Sequence, residues 1–256
     1  MVETKCFSGT GNGVAILAPL VYCGGCIWSR VLDEFCAHFA RVVMFDRPMC
    51  EWETGQSYIN AYCELLTGII RAHPRDDFAL FGNSFGSLIA IEAGLRANSD
   101  RLTVVFSGCP GLAESNEFSS GIHSTHGITR TKVAKVVRDM FVFPERVPAE
   151  EIDNTLRLIS NAPSARRMFK ALREIPEYNV KQKLGQNRFR GLAIWGGKDK
   201  ITDVGSARRF ITGHTDCQFF EIENAGHCPM LDQPESFVRL VADCVAPRTA
   251  ATHRLD

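Results

Sequence analysis

Three side chains in this sequence have the types, order and local settings that nucleophilic acyl chemistry requires. Ser84 stands in Leu80-Phe81-Gly82-Asn83-Ser84-Phe85-Gly86-Ser87-Leu88, a G-x-S-x-G pattern. A serine hydroxyl is a weak nucleophile at neutral pH and needs a base, usually histidine, that a carboxylate orients. The pattern alone is common, and its flanks supply the meaning. Phe78-Ala79-Leu80-Phe81 reads as an apolar strand, and Ser87 to Leu95 carries apolar residues at helical spacing. A turn passing directly from strand to helix holds Ser84 at strained backbone angles with its hydroxyl projecting. Gly82 and Gly86 remove the side chains that would clash there.

The two partners follow in the order acid, then histidine. Leu192-Ala193-Ile194-Trp195 reads as a buried strand, and Gly196-Gly197-Lys198-Asp199-Lys200 as the turn that delivers Asp199. Gln218-Phe219-Phe220-Glu221-Ile222 is a second strand, with Asn224-Ala225-Gly226-His227-Cys228-Pro229 as its loop. His227 therefore sits at the carboxyl edge of a strand beside the one carrying Asp199, where open parallel sheets build their ligand crevices. Asp203 is the alternative acid, although its place before Val204-Gly205-Ser206-Ala207 suits a helix cap. The other six histidines lack a preceding glycine at a strand end.

The elements that must position these groups alternate along the chain. Strands are expected at Val14–Ala18, Val42–Asp46, Phe78–Phe81 and Thr103–Ser107, with helices near Trp28–Ala40, Tyr58–Ala72 and Ser84–Arg96. A short strand precedes Val14. From about Leu112 to Leu184 the strand signal vanishes, and helical stretches replace it at Thr131–Phe141, Ala149–Ser160 and Ser164–Arg173, punctuated by Pro148, Pro163 and Pro176. The strand–helix alternation resumes at Leu192, with a helix near Val204–Thr212, the strand Cys217–Ile222 and a last helix near Glu235–Val245. The fold class expected is α/β: a mostly parallel central sheet with helices on both faces and an inserted helical cap. The core spans 1–111 and 186–256, and the cap 112–185. The tail from Arg248 is polar and expected to fray. Within the cap, Phe141, Phe143, Met168 and Phe169 are candidates to line an apolar substrate pocket. Asn83 and Trp195 are expected to serve the core rather than the substrate.

Composition narrows the partners. The 29 Lys and Arg balance 29 Asp and Glu, so no basic field draws the chain to nucleic acid or to an anionic membrane. No apolar run approaches a membrane span, and the first residues lack a signal-peptide layout, so a cytoplasmic location is expected. The ten cysteines are scattered through core-like segments and read as reduced thiols. Cys23-Gly24-Gly25-Cys26 has neither a second pair nor a histidine at ligand spacing, so no metal site is expected. Cys228, beside His227, is a place where oxidation would disturb the site.

In this order and context the three motifs resemble the α/β-hydrolase superfamily, over Val14 to about Val245. Val42 to Pro48 is similar to that family's strand ending in Asp before a sharp turn. Trp28 stands where the family often has an aromatic residue opening its first helix, and Asp232 to Phe237 resembles the segment that starts its last helix. Gly-Asn-Ser-Phe-Gly is similar to the elbow of C–C bond hydrolases that cleave ring-fission diketones, whereas the spacing and small cap resemble carboxylesterases. One departure stands out. The superfamily usually carries His-Gly after its first central strand, and here alignment from Trp28 puts Pro19-Leu20 there. The resemblance then implies an oxyanion hole made by the backbone N–H groups of Val21 and Phe85.

What the resemblance implies is a serine hydrolase of a small-molecule ester or thioester, free or carrier-bound, working through an acyl-enzyme without a cofactor. C–C hydrolysis, a lyase reaction or acyl transfer on the same triad is the second reading. A low-turnover ligand-binding scaffold is the third, and Pro19-Leu20 is what favours it.

Overall fold

The apolar runs that flank the three motifs become the inner strands of one sheet. A computed structural model describes residues 2–21, 24–112, 129–147 and 149–245. Tyr22, Cys23, His123, His126, Pro148, the tail from Arg248 and much of the first part of the expected cap lie outside the described residues. The strands are β1 (Thr4–Ser8), β2 (Val14–Leu17), β3 (Arg41–Phe45), β4 (Phe78–Asn83), β5 (Leu102–Ser107), β6 (Arg190–Gly196) and β7 (Gln218–Ile222). They lie in the order β1-β3-β2-β4-β5-β6-β7. Only β1 runs antiparallel, against β3, and every other pairing is parallel. Every residue of β2, β4 and β5 is buried, as strands covered on both faces must be.

Helices cover both faces: α1 (Leu32–His38), α2 (Tyr58–Ala72), α3 (Phe85–Ala97), α4 (Arg130–Met140), α5 (Ala149–Ser160), α6 (Ala162–Tyr178), α7 (Val180–Leu184), α8 (Val204–His214), α9 (Pro229–Asp232) and α10 (Pro234–Cys244). Two apolar clusters result. One joins alternate strand residues such as Ile16, Leu80 and Phe106 to α2, α3 and α6. The other joins Leu17, Phe81 and Val105 to α1, α4, α9 and α10. Phe81 anchors the second cluster, with its ring 4.7 Å from Phe35 and 6.2 Å from Trp28 between centroids. This alternation of faces along each strand is the two-residue period of the pleat.

Two elements depart from expectation. The helix expected from Trp28 to Ala40 is split into a 3-10 turn at Gly25–Trp28 and the shorter α1. Bonds from Ser29 N–H to Cys26 O and from Val31 N–H to Trp28 O tighten the entry instead of propagating a helix. Pro163 opens α6 as expected, but Pro176 lies inside it, and the helix runs on to Tyr178. Proline costs a helix one hydrogen bond, and its place in the last turn confines that loss to the helix end. Among the described residues no strand interrupts the stretch between β5 and β6, which holds α4 to α7. No described helix is long and apolar enough to cross a membrane.

Candidate active site

Four strand ends meet at the carboxyl edge of the sheet: Ser84 follows β4, Gly108 follows β5, Asp199 follows β6 and His227 follows β7. Ser84 has φ 51° and ψ −126°, a conformation that a non-glycine residue adopts at a cost of about 1–3 kcal/mol. Its surroundings impose it. A Cβ on Gly82 would stand 2.4 Å from the carbonyl oxygen of Gly86, and one on Gly86 would stand 2.9 Å from that of Pro19. The Ser84 N–H donates to Ser107 O at 2.9 Å, and the Ser87 hydroxyl donates to the same oxygen at 2.8 Å. The turn is thus tied to the end of β5.

His227 and Asp199 form the charged half of the site, each side chain about 1% exposed. His227 Nδ1 lies 3.0 Å from Asp199 Oδ2 and 3.2 Å from Oδ1. A carboxylate only accepts, so Nδ1 carries a proton and donates it to Asp199. Asp199 also accepts from Ile201 N–H at 2.8 Å, from Thr202 N–H at 3.0 Å and from the Thr202 hydroxyl at 2.6 Å. Burial pushes its carboxyl up, but the adjacent His227 and the Thr202 donors outweigh this and hold it below the ordinary carboxylate value. Asp203 is elsewhere engaged: its carboxylate accepts from Ser206 N–H at 2.7 Å and caps α8.

The loop of His227 is fixed at both ends of its peptide unit. Its N–H donates to Met140 O at 2.8 Å, and its carbonyl accepts from Asn83 Nδ2 at 2.9 Å. Beneath the ring lies Gly108 at φ 56°, where a Cβ would come within 2.6 Å of Cε1. The segment Ser107-Gly108 therefore touches the Ser84 turn on one side and the His227 ring on the other.

Val21 is buried in the same apolar cluster as Phe85, and its carbonyl accepts from Cys50 N–H at 3.1 Å. Phe85 begins α3, so its N–H is among the helix donors without an intrahelical acceptor. The contact of Pro19 with Gly86 brings the Pro19-Leu20 loop against this helix end.

The four cap candidates do not form one cluster. Phe141 belongs to one apolar cluster and Met168 to the other, with Phe169 packed on the latter. Phe143 is half-buried beneath the Arg146 guanidinium, 4.2 Å from its ring centroid. Asn83 and Trp195 are buried as expected, yet both brace the site: Asn83 holds the His227 carbonyl, and Trp195 Nε1 donates to Thr202 Oγ1 at 3.2 Å. Sequence reasoning missed Thr202 and Asp232. A threonine three residues after Asp199 is a signal for a local side-chain bond. Cys228 donates to Asn83 Oδ1 at 3.4 Å. Its burial, with the nearby Asp232 and Asp199 carboxylates, pushes its thiol well above the ordinary value. A raised thiol pKa disfavours the thiolate through which cysteines are oxidised.

Residues 12–240 match the model of a family described as "Alpha/beta hydrolase family". Among curated proteins, 2-hydroxy-6-oxo-2,4-heptadienoate hydrolase of Pseudomonas putida is 23% identical over 250 residues, covering 93% of this chain and 87% of that protein. The solved structure of 2-hydroxy-6-oxo-6-phenylhexa-2,4-dienoate hydrolase from Rhodococcus superposes with a TM-score of 0.78 at 16% identity, covering 96% of this chain and 99% of that one. An esterase from Exiguobacterium antarcticum superposes with a TM-score of 0.71 at 14% identity, covering 94% of both. With the family match spanning most of its length, the chain belongs to the alpha/beta hydrolase family.

Proposed function

We propose that this protein is a serine hydrolase that cleaves a small ester or thioester with the triad Ser84, His227 and Asp199. The observation that carries the reading is the buried Asp199–His227 pair, whose ring lies on the Gly108 that adjoins the strained Ser84 turn. Ser84 Oγ attacks the substrate carbonyl while His227 Nε2 takes its proton. The imidazolium then gives that proton to the leaving oxygen or sulfur, leaving an acyl-enzyme. Water, activated by the same nitrogen, attacks the acyl carbon and releases the acid. The N–H groups of Val21 and Phe85 hold the developing oxyanion, each donor being worth about 2.7–4 kcal/mol in the transition state. Nothing in this chemistry calls for a cofactor or a metal.

C–C bond hydrolysis on the same triad is the second reading. The 2-hydroxy-6-oxo-dienoate hydrolases among the relatives favour it, together with the Gly-Asn-Ser-Phe-Gly elbow. Labelling with a fluorophosphonate, followed by kcat/KM on esters of graded chain length, thioesters and a 2-hydroxy-6-oxo-dienoate, tests both. Covalent capture at Ser84 with ester or thioester preference supports the first reading. Capture with dienoate preference transfers the assignment to the second, and absence of capture leaves a binding scaffold.

A further inference from the structure

Asp232 is fully buried, and its carboxylate takes no part in the chemistry just described. Its oxygens accept three backbone N–H groups from two separate parts of the chain. Oδ2 accepts from Gly226 at 2.7 Å and from Val142 at 3.0 Å, and Oδ1 accepts from Phe143 at 3.1 Å. Gly226 immediately precedes His227. Val142 and Phe143 lie two and three residues past the end of α4, in the helical stretch between β5 and β6. Beside this clasp, His227 N–H donates to Met140 O, and Arg146 donates to the backbone carbonyl of Asp232.

We propose that Asp232 is a positioning residue that fastens the end of α4 to the His227 loop, so that the helical stretch helps to set the base. The inference rests on the proposed role of His227. Three backbone donors converge on this one buried carboxylate and occupy both of its oxygens. The contact is also close-packed: a Cβ on Gly226 would stand 2.7 Å from Met140 O and 3.1 Å from Asp232 Oδ2. The loop can neither withdraw from α4 without losing those bonds nor approach it further. Residues 140–143 and 226–228 therefore move together. A displacement of α4 by bound substrate is felt at the imidazole, although the stretch supplies none of the three reacting side chains.

Asp232→Asn tests this, because its amide NH2 would face N–H donors where the carboxylate accepted them. The expected result is a fluorophosphonate labelling rate at least tenfold below the parent per folded molecule, well below the melting temperature. kcat on the best ester falls by a similar factor, while KM stays within about twofold. A purely structural role would lower the melting temperature and leave the labelling rate alone, and that outcome overturns the proposal. If Asp232→Asn does not fold, Gly226→Ala is read by the same criteria, since its methyl wedges the same contact. Amide exchange on the parent decides the matter whichever variants fold. Capture of the phosphonate at Ser84 should slow exchange at 141–143 together with 226–228, and slowing confined to 226–228 overturns the coupling. Parent protein that labels while Ser84→Ala does not keeps the triad reading intact whatever Asp232 does. Failure of the parent to label removes that reading first.

Discussion

The two halves of the site are built by opposite means. On the Asp199–His227 side, a carboxylate and an imidazole are withdrawn from water and paired, the carboxylate also accepting from Ile201 and Thr202, while Asn83 and Met140 hold the backbone of His227. On the Ser84 side, position is enforced by backbone strain and by glycines that allow main chain to touch main chain. A buried charge without partners costs several kcal/mol, so the acid–base half must be saturated with hydrogen bonds. A nucleophile needs a hydroxyl free to reach substrate. Ser84 is tied down through its backbone, its N–H donating to Ser107 O and its carbonyl accepting from Ser87 N–H. The contrast teaches that rigidity in this site comes from electrostatics on one side and from sterics on the other.

The comparison breaks most sharply at Ser84. Ser84→Ala should lower kcat by on the order of 10⁶, with melting temperature equal to or above the parent because the strained residue loses little by truncation. Near-parent turnover on accepted substrates would remove Ser84 from the chemistry. On the other side, Asp199→Asn should cost on the order of 10⁴ in kcat by presenting an N–H to Nδ1 and favouring the wrong tautomer. Steady-state kinetics on folded protein reads both.

Thr202→Val probes the hydrogen-bond saturation itself. It removes the hydroxyl from Asp199 and should destabilise the protein by about 1.5–3 kcal/mol at pH 7, as loss of a bond to a charged group does. The sign with pH follows from the depressed Asp199 carboxyl. Its stabilisation is complete above the unfolded carboxylate value of 3.8 and is lost as pH falls through the lower folded value. Chemical denaturation of parent and variant should therefore show a stability gap that is widest near neutrality and narrows in acid. A gap that widens in acid would contradict the assigned role of Thr202.

Substitutions of the apolar cap candidates should have smaller and selective effects. Phe141→Ala, Phe143→Ala or Phe169→Ala should change the ranking of esters by chain length by about 1–3 kcal/mol of discrimination, with Ser84 still captured by a small phosphonate. An unchanged ranking in all three would make them packing residues only. The smallest effect is expected at Asp203. Removing its cap on α8 should cost about 0.5–2 kcal/mol of stability and leave the labelling rate alone. A severe rate loss there with a mild one at Asp199 would exchange their roles.

Much of this site was legible in the chain because each motif carries its own local context. A G-x-S-x-G between an apolar strand and a helical pattern, and Gly-His after a second strand, specify which edge of the sheet holds Ser84 and His227. The preference for Asp199 over Asp203 was also local, since Asp203 stands one residue before α8 and is free to cap it. The split first helix was less legible, because three-residue bonds at Cys26–Ser29 and Trp28–Val31 compete closely with helical ones. Phe141 and Met168 looked alike as apolar residues of one stretch, yet they pack in different clusters. Periodicity reports that a face is apolar, not what it meets.

By itself the sequence determined the strand–helix alternation, the parallel sheet and the three groups delivered to its carboxyl edge. These depend on side-chain period and turn chemistry, which act over a few residues. Tertiary structure alone decided what holds the His227 loop. The bonds from Asn83 to His227 O, from His227 N–H to Met140 O and from Val142 and Phe143 N–H to Asp232 join residues that lie far apart in the chain. A backbone carbonyl has no residue type to betray it, and a buried carboxylate chooses its donors only once the chain has closed around it.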